Sequence, residues 1–381
     1  MPGLQITSSI LEVARRFGIV YDNWQTVNVS TREEWCKFLS HHQLNQAGML
    51  YSSSATTGAG RQLLYTDAVR DLAAQRAKLF MGQTPVQPNH TVAVLFGYGM
   101  FPPAQFYSES LVQLGCRVSP LGSGRNMRTE LKCDWLAEIQ PDCIIGMPSY
   151  LLTVAHVLEE KRLLDVVRRR LRCLVTGGEL LHRTFREKLT NQFGVQIHDH
   201  YGMLEAPMIA GECPLLRMHP AEEYFCEVLT PNGVELSGRG VLVLSTASAW
   251  GSVPMMRLST GDEVVLERDR CECGQGILLK VLGRTDNVRK VHGIVVNLDQ
   301  LDSEIRQRIP EIDEYYLESM FDANSREVVI LHARSRLAAS ELEARLQDLV
   351  PFDVKLLIER NLTLPIGSTG KPQRFVDSRM V

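Results

Sequence analysis

No export signal and no membrane span can be found in the sequence. The opening "MPGLQITSSILEVARRFG" lacks a basic start followed by an apolar core and a small-residue cleavage site. No uninterrupted apolar run reaches the roughly eighteen residues a bilayer demands. An excess of either charge is also missing: 41 Lys and Arg stand against 44 Asp and Glu, for a net charge of -3. That balance offers no broad attraction to nucleic acid or to an anionic membrane. The 9 cysteines are an odd, scattered set without a secretion signal, which argues for reduced thiols rather than a disulfide framework. Internal repeats and low-complexity tracts are absent as well. The expectation is a soluble, cytoplasmic protein that engages neither nucleic acid nor membrane, with a homodimer left open.

The 381 residues are 44% hydrophobic, enough for a sizeable core in two or three domains. From about residue 90, short β-rich runs alternate with helical ones: "TVAVLFG", "PAQFYSESLVQLG", "CRVSPL", "TELKCDWLAEIQ", "DCIIGM", "YLLTVAHVLEEKRL", "RCLVTG". Such alternation predicts βαβ units and a mostly parallel sheet flanked by helices, an α/β core. From Glu222, "EYFCEVLTPNG", "GVLVLST" and "DEVVLE" predict a β-rich antiparallel subregion broken by Asn-Gly and Gly turns. After "GRTDN" a small α+β unit begins, so the expected division is 1–285 and 286–381.

Several short segments carry chemistry. In "YSSSATTGAGRQ", Ser53, Ser54, Thr56 and Thr57 offer hydroxyls while Gly58 and Gly60 admit backbone amides to an anion. The run does not fit the Walker pattern, and alone it reads most simply as a solvated loop. "HDHYGMLEA" supplies an aromatic ring for stacking, Tyr201, and a carboxylate suited to Mg²⁺, Glu205. "STGDE" sets Asp262 on what reads as a turn directly after a strand, where it can accept bonds from vicinal ribose hydroxyls. Gly177, Gly178 and Glu179 follow the strand "RCLVT" at a sheet's carboxyl end, where α/β folds bind ligands. Cys213 and His219, with Cys271 and Cys273, make three thiolates and an imidazole, the ligand set of a closed structural Zn²⁺ site. Cys226 is a less suitable substitute.

Taken in order, the loop, "HDHYGMLEA", "MMRLSTGDEV", "GRTDNVRKVHG" and "PIGSTGKPQRFVD" resemble the adenylate-forming superfamily, most nearly its phenylacetate-CoA ligase branch. The resemblance covers about Tyr51 to the end, and the N-terminus before it is shorter than is usual there. It implies a large N-terminal domain and a small mobile lid joined by a hinge at Asp286. It further implies that the loop residues, Gly177 to Glu179, His200, Tyr201, Gly202, Asp262 and Arg284 bind the nucleotide, with Glu205 helping to hold Mg²⁺. Lys290 and Gly293 would face coenzyme A. Lys371, on a Gly-flanked loop, would be the adenylation lysine, stabilising charge as pyrophosphate leaves. The branch often carries cysteines where Cys213, Cys271 and Cys273 stand.

One departure stands out. The family loop usually reads Ser-Ser-Gly-Thr-Thr-Gly-Lys-Pro, whereas Ala55 and Ala59 stand here for a glycine and the lysine. Losing one charge-assisted phosphate contact costs roughly 1.5 to 3 kcal/mol, about ten- to a hundredfold in affinity. Arg61 is the nearest cation along the chain. The leading expectation is an ATP-dependent ligase that turns a carboxylic acid into an acyl-adenylate and then a CoA thioester. The acid would be aromatic or polyketide-like and belong to secondary metabolism, with Phe101, Tyr107 and Tyr201 as a candidate aromatic wall. The alternatives are a CoA-dependent acyltransferase fed by a carrier protein and a non-catalytic nucleotide-binding relic.

Overall fold

Runs such as "TVAV" and "CIIG" are apolar almost throughout, as strands buried on both faces must be, and the computed structural model joins them in one sheet. It describes residues 2–16, 19–42, 46–52, 62–123, 127–250, 253–285, 288–291, 294–322, 327–347, 349–350, 354–360, 362–365 and 373–378. Of residues 2–6, 42, 248–250, 288, 290, 294 and 295 only the backbone is described. Two compact units divide the chain, the first holding most residues up to Val281 and the second those from Leu282 onward.

The first unit opens with α1 (Pro2–Arg16) and α2 (Arg32–His42), then the antiparallel pair β1 (Met49–Ser52) and β2 (Gln62–Tyr65), then α3 (Asp67–Met81). The large sheet follows: β3 (Thr91–Val94), α4 (Pro103–Gln113), β4 (Arg117–Pro120), α5 (Thr129–Ile139), β5 (Cys143–Gly146), α6 (Pro148–Glu160), α7 (Leu164–Arg168), β6 (Cys173–Gly177), α8 (Arg183–Phe193), β7 (Gln196–Tyr201), β8 (Ala210–Glu212) and β9 (Met218–Pro220). Its strand order is β4-β3-β5-β6-β7-β8-β9, parallel from β4 to β7 and antiparallel at the β8 and β9 end. Strand order reverses between β3 and β5, which makes the carboxyl ends there the expected ligand crevice.

Two-residue periodicity splits the sheet's side chains between two cores. Val92, Val94, Ile145 and Val175 join α3 and α4, while Ala93, Leu95, Ile144 and Leu174 meet α5 to α8. On α6, Leu151, Val154, Ala155 and Leu158 fall at the i, i+3, i+4, i+7 spacing and are all fully buried.

The β-rich subregion is a separate antiparallel sheet: β10 (Phe225–Thr230), β11 (Gly233–Glu235), β12 (Gly238–Trp250), β13 (Val253–Glu267) and β14 (Leu278–Arg284), in the order β11-β10-β12-β13-β14. Among the described strands of the first unit, the parallel ladders lie in one sheet, as the switch from βαβ spacing to hairpin spacing at Glu222 predicts.

The chain between α1 and α2 is strapped to β13. The Ser30 amide donates to the Arg257 carbonyl at 2.9 Å and the Ser259 amide to the Ser30 carbonyl at 2.9 Å. Arg257, in a left-handed conformation (φ 42), donates to both carboxylate oxygens of Glu227 at 3.0 and 2.9 Å and to the Val27 carbonyl at 2.7 Å. Its guanidinium lies 5.2 Å from the Trp24 ring. Just beyond, Thr31 and Glu34 form a capping box: the Thr31 amide donates to the Glu34 carboxylate at 2.8 Å and the Glu34 amide to the Thr31 hydroxyl at 3.2 Å. That box starts α2 at Arg32.

The second unit contains the hairpin β15 (Val288–Val291) and β16 (Ile294–Asn297), α9 (Leu298–Arg308), β17 (Ile312–Phe321), β18 (Glu327–Ser335), α10 (Ala339–Gln347), β19 (Val354–Ile358) and β20 (Phe375–Asp377). A four-stranded sheet, β19-β18-β17-β20, packs its own core around Ile305, Tyr315, Leu331 and Leu342. Asn297 caps α9 by accepting from the Asp299 and Gln300 amides. Among the described residues no helix is long and apolar enough to cross a membrane.

Because Glu227 and Arg257 are both buried, removing one strands the other's charge. Glu227→Ala is expected to lower unfolding free energy by about 3–5 kcal/mol in urea denaturation, whereas Arg257→Met with Glu227→Leu should recover most of that loss.

Candidate active site

The site is built where β6 and β7 end. Gly177, the last residue of β6, lies so close to β7 that a Cβ there would sit 2.8 Å from the His200 carbonyl oxygen, and Gly178 turns the chain at φ +76. The Ser149 amide donates to the Glu179 carboxylate at 3.2 Å. β7 ends at Tyr201, and a Cβ on Gly202 would meet the Met208 amide nitrogen at 2.7 Å. The Tyr65 hydroxyl donates to the Leu204 carbonyl at 2.6 Å and so ties down the turn that carries Glu205.

Tyr201 and Asp262 meet: the phenol donates to the aspartate Oδ2 at 2.5 Å. Asp262 does not stand on a turn after a strand. It lies inside β13 at a bulge, where pairing shifts from Val241↔Glu263 to Val243↔Ser259 and Gly261 takes φ +76. The bulge satisfies the Thr-Gly-Asp turn chemistry without ending the strand. Asp262 is 7% exposed, and its amide donates to the Thr260 hydroxyl at 3.1 Å.

Alternation along β7 sends neighbouring residues to opposite faces. His200 turns into the core, where the Tyr107 hydroxyl lies 2.8 Å from its Nδ1 and the Tyr107 ring stacks on it at 5.8 Å. Burial pulls its pKa down to about 3, so the imidazole is neutral. Tyr107 is itself stacked on Phe96 at 5.6 Å, which commits it to the core beside His200. Asp199 instead lines a cavity of about 360 Å³, with Leu180, Leu181, Glu212, Arg217 and Val281. The Thr176 hydroxyl donates to Asp199 Oδ1 at 2.6 Å, Asp199's amide donates to Glu212 at 2.9 Å, and Arg186 donates to Glu212 at 2.5 Å. Burial raises Asp199 to about 6 and Glu212 to about 7, with Arg186 opposing both shifts. Asp199 was not singled out from the sequence, although its place between two buried histidines in "HDHYG" marks it as the residue facing the other way.

Glu205 is fully buried, and both its oxygens are engaged by Arg32, from Nε at 2.9 Å and Nη2 at 2.8 Å. A carboxylate forked in this way does not fit the role of an Mg²⁺ ligand. No sequence signal pointed to Arg32 as a partner, although the capping pattern Thr31-x-x-Glu34 marks the helix start that carries it.

Cys213, His219, Cys271 and Cys273 converge: their ligand atoms all lie within 4.8 Å of one another. A tetrahedral zinc with bonds of about 2.0–2.3 Å sets its donors roughly 3.3–3.8 Å apart, so this cluster fits one. His219 Nδ1 lies 2.6 Å from the Ile277 carbonyl, leaving Nε2 directed at Cys273 Sγ, 3.4 Å away. A backbone bond fixing one ring nitrogen while the other faces the metal is the usual arrangement of a ligating histidine. The amide of Cys273 is the main influence that lowers the Cys271 thiol below its ordinary value. Cys226 is buried in β10, apart from this group.

In the second unit, the Arg284 amide donates to Asp299 at 2.6 Å, and Lys290 pairs through its backbone with Val295. Ser53, Ser54, Thr56, Thr57, Gly58, Asp286, Gly293 and Lys371 lie outside the described residues.

No family model matches the chain. The phenylacetate-coenzyme A ligase of Pseudomonas putida is 25% identical over 308 residues, spanning 79% of this chain and 69% of that protein. The Thermus thermophilus enzyme of the same name is 27% identical over 281 residues, 71% of this chain and 62% of its own length. That of Escherichia coli is 24% identical over 357 residues, 89% and 80%. Among solved structures, a 2-hydroxyisobutyryl-CoA ligase superposes with a TM-score of 0.79 at 17% identity over 100% of this chain and 87% of that one. An anthranilate CoA ligase superposes with a TM-score of 0.60 at 19% identity over 85% and 65%. Beside the glycine turns and the Tyr201–Asp262 pair, these likenesses point one way: the chain shares the fold of the solved acid–CoA ligases and is similar in sequence to phenylacetate-CoA ligases of the adenylate-forming superfamily.

Proposed function

We propose that the chain is an AMP-forming acid–CoA ligase. The carboxylate of an acid substrate attacks the α-phosphorus of ATP and pyrophosphate leaves. The thiol of coenzyme A then attacks the acyl carbonyl of the acyl-adenylate, forming the thioester and releasing AMP. The observation that carries this reading is the Tyr201–Asp262 pair beside the Gly177–Glu179 turn. Asp262 is held rigidly enough to accept from ribose hydroxyls, and the cavity behind Leu180 and Asp199 is of a size for a nucleobase. Gly178 lets the backbone approach that base closely.

Ser53 to Gly58 cradle the phosphates in this reading, and Lys371 neutralises charge in the first half-reaction. Asp286 serves as the hinge between the two half-reactions, 286–381 as the lid, and Lys290 and Gly293 as part of the coenzyme A approach. No step is routed through a metal at Glu205. The acid is aromatic or polyketide-like. A zinc ion held by Cys213, His219, Cys271 and Cys273 serves structure only, as a closed four-donor set leaves no coordination site for substrate.

Purified protein incubated with ATP, labelled pyrophosphate and a panel of aromatic and polyketide acids is expected to catalyse exchange. Absence of exchange, together with acyl transfer from a carrier protein to coenzyme A, would replace the ligase with the acyltransferase. Lys371→Ala should slow exchange by about a hundredfold or more while thioester formation from supplied acyl-adenylate continues; equal loss in both steps contradicts the assignment.

Elemental analysis should find about one zinc per chain, and Cys271→Ser should lose it and melt several degrees lower. A wild type free of zinc and unaffected by chelator contradicts the zinc reading.

A further inference from the structure

We infer that Arg32 is a positioning residue that occupies Glu205 in place of a divalent cation, so that a metal reaches this carboxylate only when Arg32 leaves it. The inference rests on the reading of Glu205 as part of the adenylating site. Its geometry is independent of that reading.

Glu205 is 0% exposed, and an ionised carboxylate in a dry interior needs a counter-ion. Arg32 supplies one through the planar fork that matches a carboxylate best, with nearly equal bonds of 2.9 and 2.8 Å. Its own side chain is only 13% exposed, so the pair is shielded from salt. Mg²⁺ demands near-octahedral oxygen ligation and gives up water reluctantly. At Glu205 it would also be placed against a guanidinium already in contact with the same oxygens, where repulsion between cations is strong.

Arg32 is fixed from its other end too. The Ser30 bridge to β13 and the Thr31–Glu34 capping box hold the first turn of α2, so its side chain starts from a rigid backbone. A fixed base and a bidentate tip leave few rotamers, and the pair loses little entropy on forming. The charge that balances Glu205 is thus built into the fold.

The test is Mn²⁺ binding, read as loss of the free-ion electron paramagnetic resonance signal, in zinc-replete full-length protein without nucleotide. Wild type is expected to show no Mn²⁺ site that depends on Glu205. Arg32→Met should gain one, binding at least about tenfold tighter than any site of the wild type, because a buried carboxylate that has lost the Arg32 fork gains most from a new cation. That site should vanish in Arg32→Met combined with Glu205→Gln. Arg32→Lys keeps the charge but not the fork, and should show a weaker gain; it decides the matter if Arg32→Met does not fold. Wild-type Mn²⁺ binding that is lost on Glu205→Gln, or a folded Arg32 variant that gains no site, overturns the inference. The ligase reading fails separately, by absence of pyrophosphate exchange in wild type, and leaves the Mn²⁺ comparison intact.

Discussion

The strap formed by Arg257 and Glu227 is the constraint on which the geometry of the first unit's site depends. Glu227 is sealed in β10, and Arg257 reaches it from β13 of the same sheet while also holding the Val27 carbonyl. Two backbone bonds then register Ser30 against Arg257 and Ser259, and the capping box delivers Arg32 one residue beyond Thr31. Arg32 closes on Glu205, 173 residues away along the chain. A segment remote in sequence thereby secures the turn that follows β7. The same β13 that receives the strap carries Asp262 at its bulge, so the N-terminal segment and the residue read as the ribose acceptor share one strand.

β7 divides labour between its faces. His198 and His200 are buried on one side, and burial lowers both pKa values, so neither imidazole is charged at neutral pH. Neutrality is what permits His200 to pack against Phe80 and Tyr107 without a counter-ion. On the opposite face Asp199 is backed by Thr176 and, through its amide, by Glu212, which is paired with Arg186. An acidic residue on one face of β7 and buried, neutral histidines on the other make the strand chemically asymmetric.

What could be read from residue order was whatever depends on local spacing. The alternation of "TVAV", "CIIG" and "CLVTG" with helical segments predicts the parallel sheet, and the shift at Glu222 predicts the antiparallel one, because both follow from periodicity within a few residues. Gly177, Gly178 and Tyr201 stand at strand ends as expected, since glycine and turn chemistry are local. The convergence of Cys213 and His219 with Cys271 and Cys273 was suggested by ligand chemistry, but the meeting itself depends on how the chain folds between them. Arg32 lay beyond such reading: a long-range ion pair leaves no periodic trace. Thr-Gly-Asp at Asp262 reads as a turn but forms a bulge, because the triplet looks the same in both; the pairing of Val241 with Glu263 distinguishes them.

The cysteine–histidine cluster is coupled to the crevice by one peptide bond. Glu212, whose carboxylate accepts the Asp199 amide, is followed directly by Cys213, and His219 lies in β9, paired through Gly211 to the same short β8. β8 is only three residues long and adjoins the parallel strands through the pairs His200↔Gly211 and Tyr201↔Ala210. A strand so short gains little from its own ladder. A metal binding both Cys213 and His219 would clamp β8 to β9 beside Cys271 and Cys273. It would thereby hold Glu212 against Asp199 and Arg186, and a purely structural ion would set the position of a carboxylate lining the proposed nucleotide cavity.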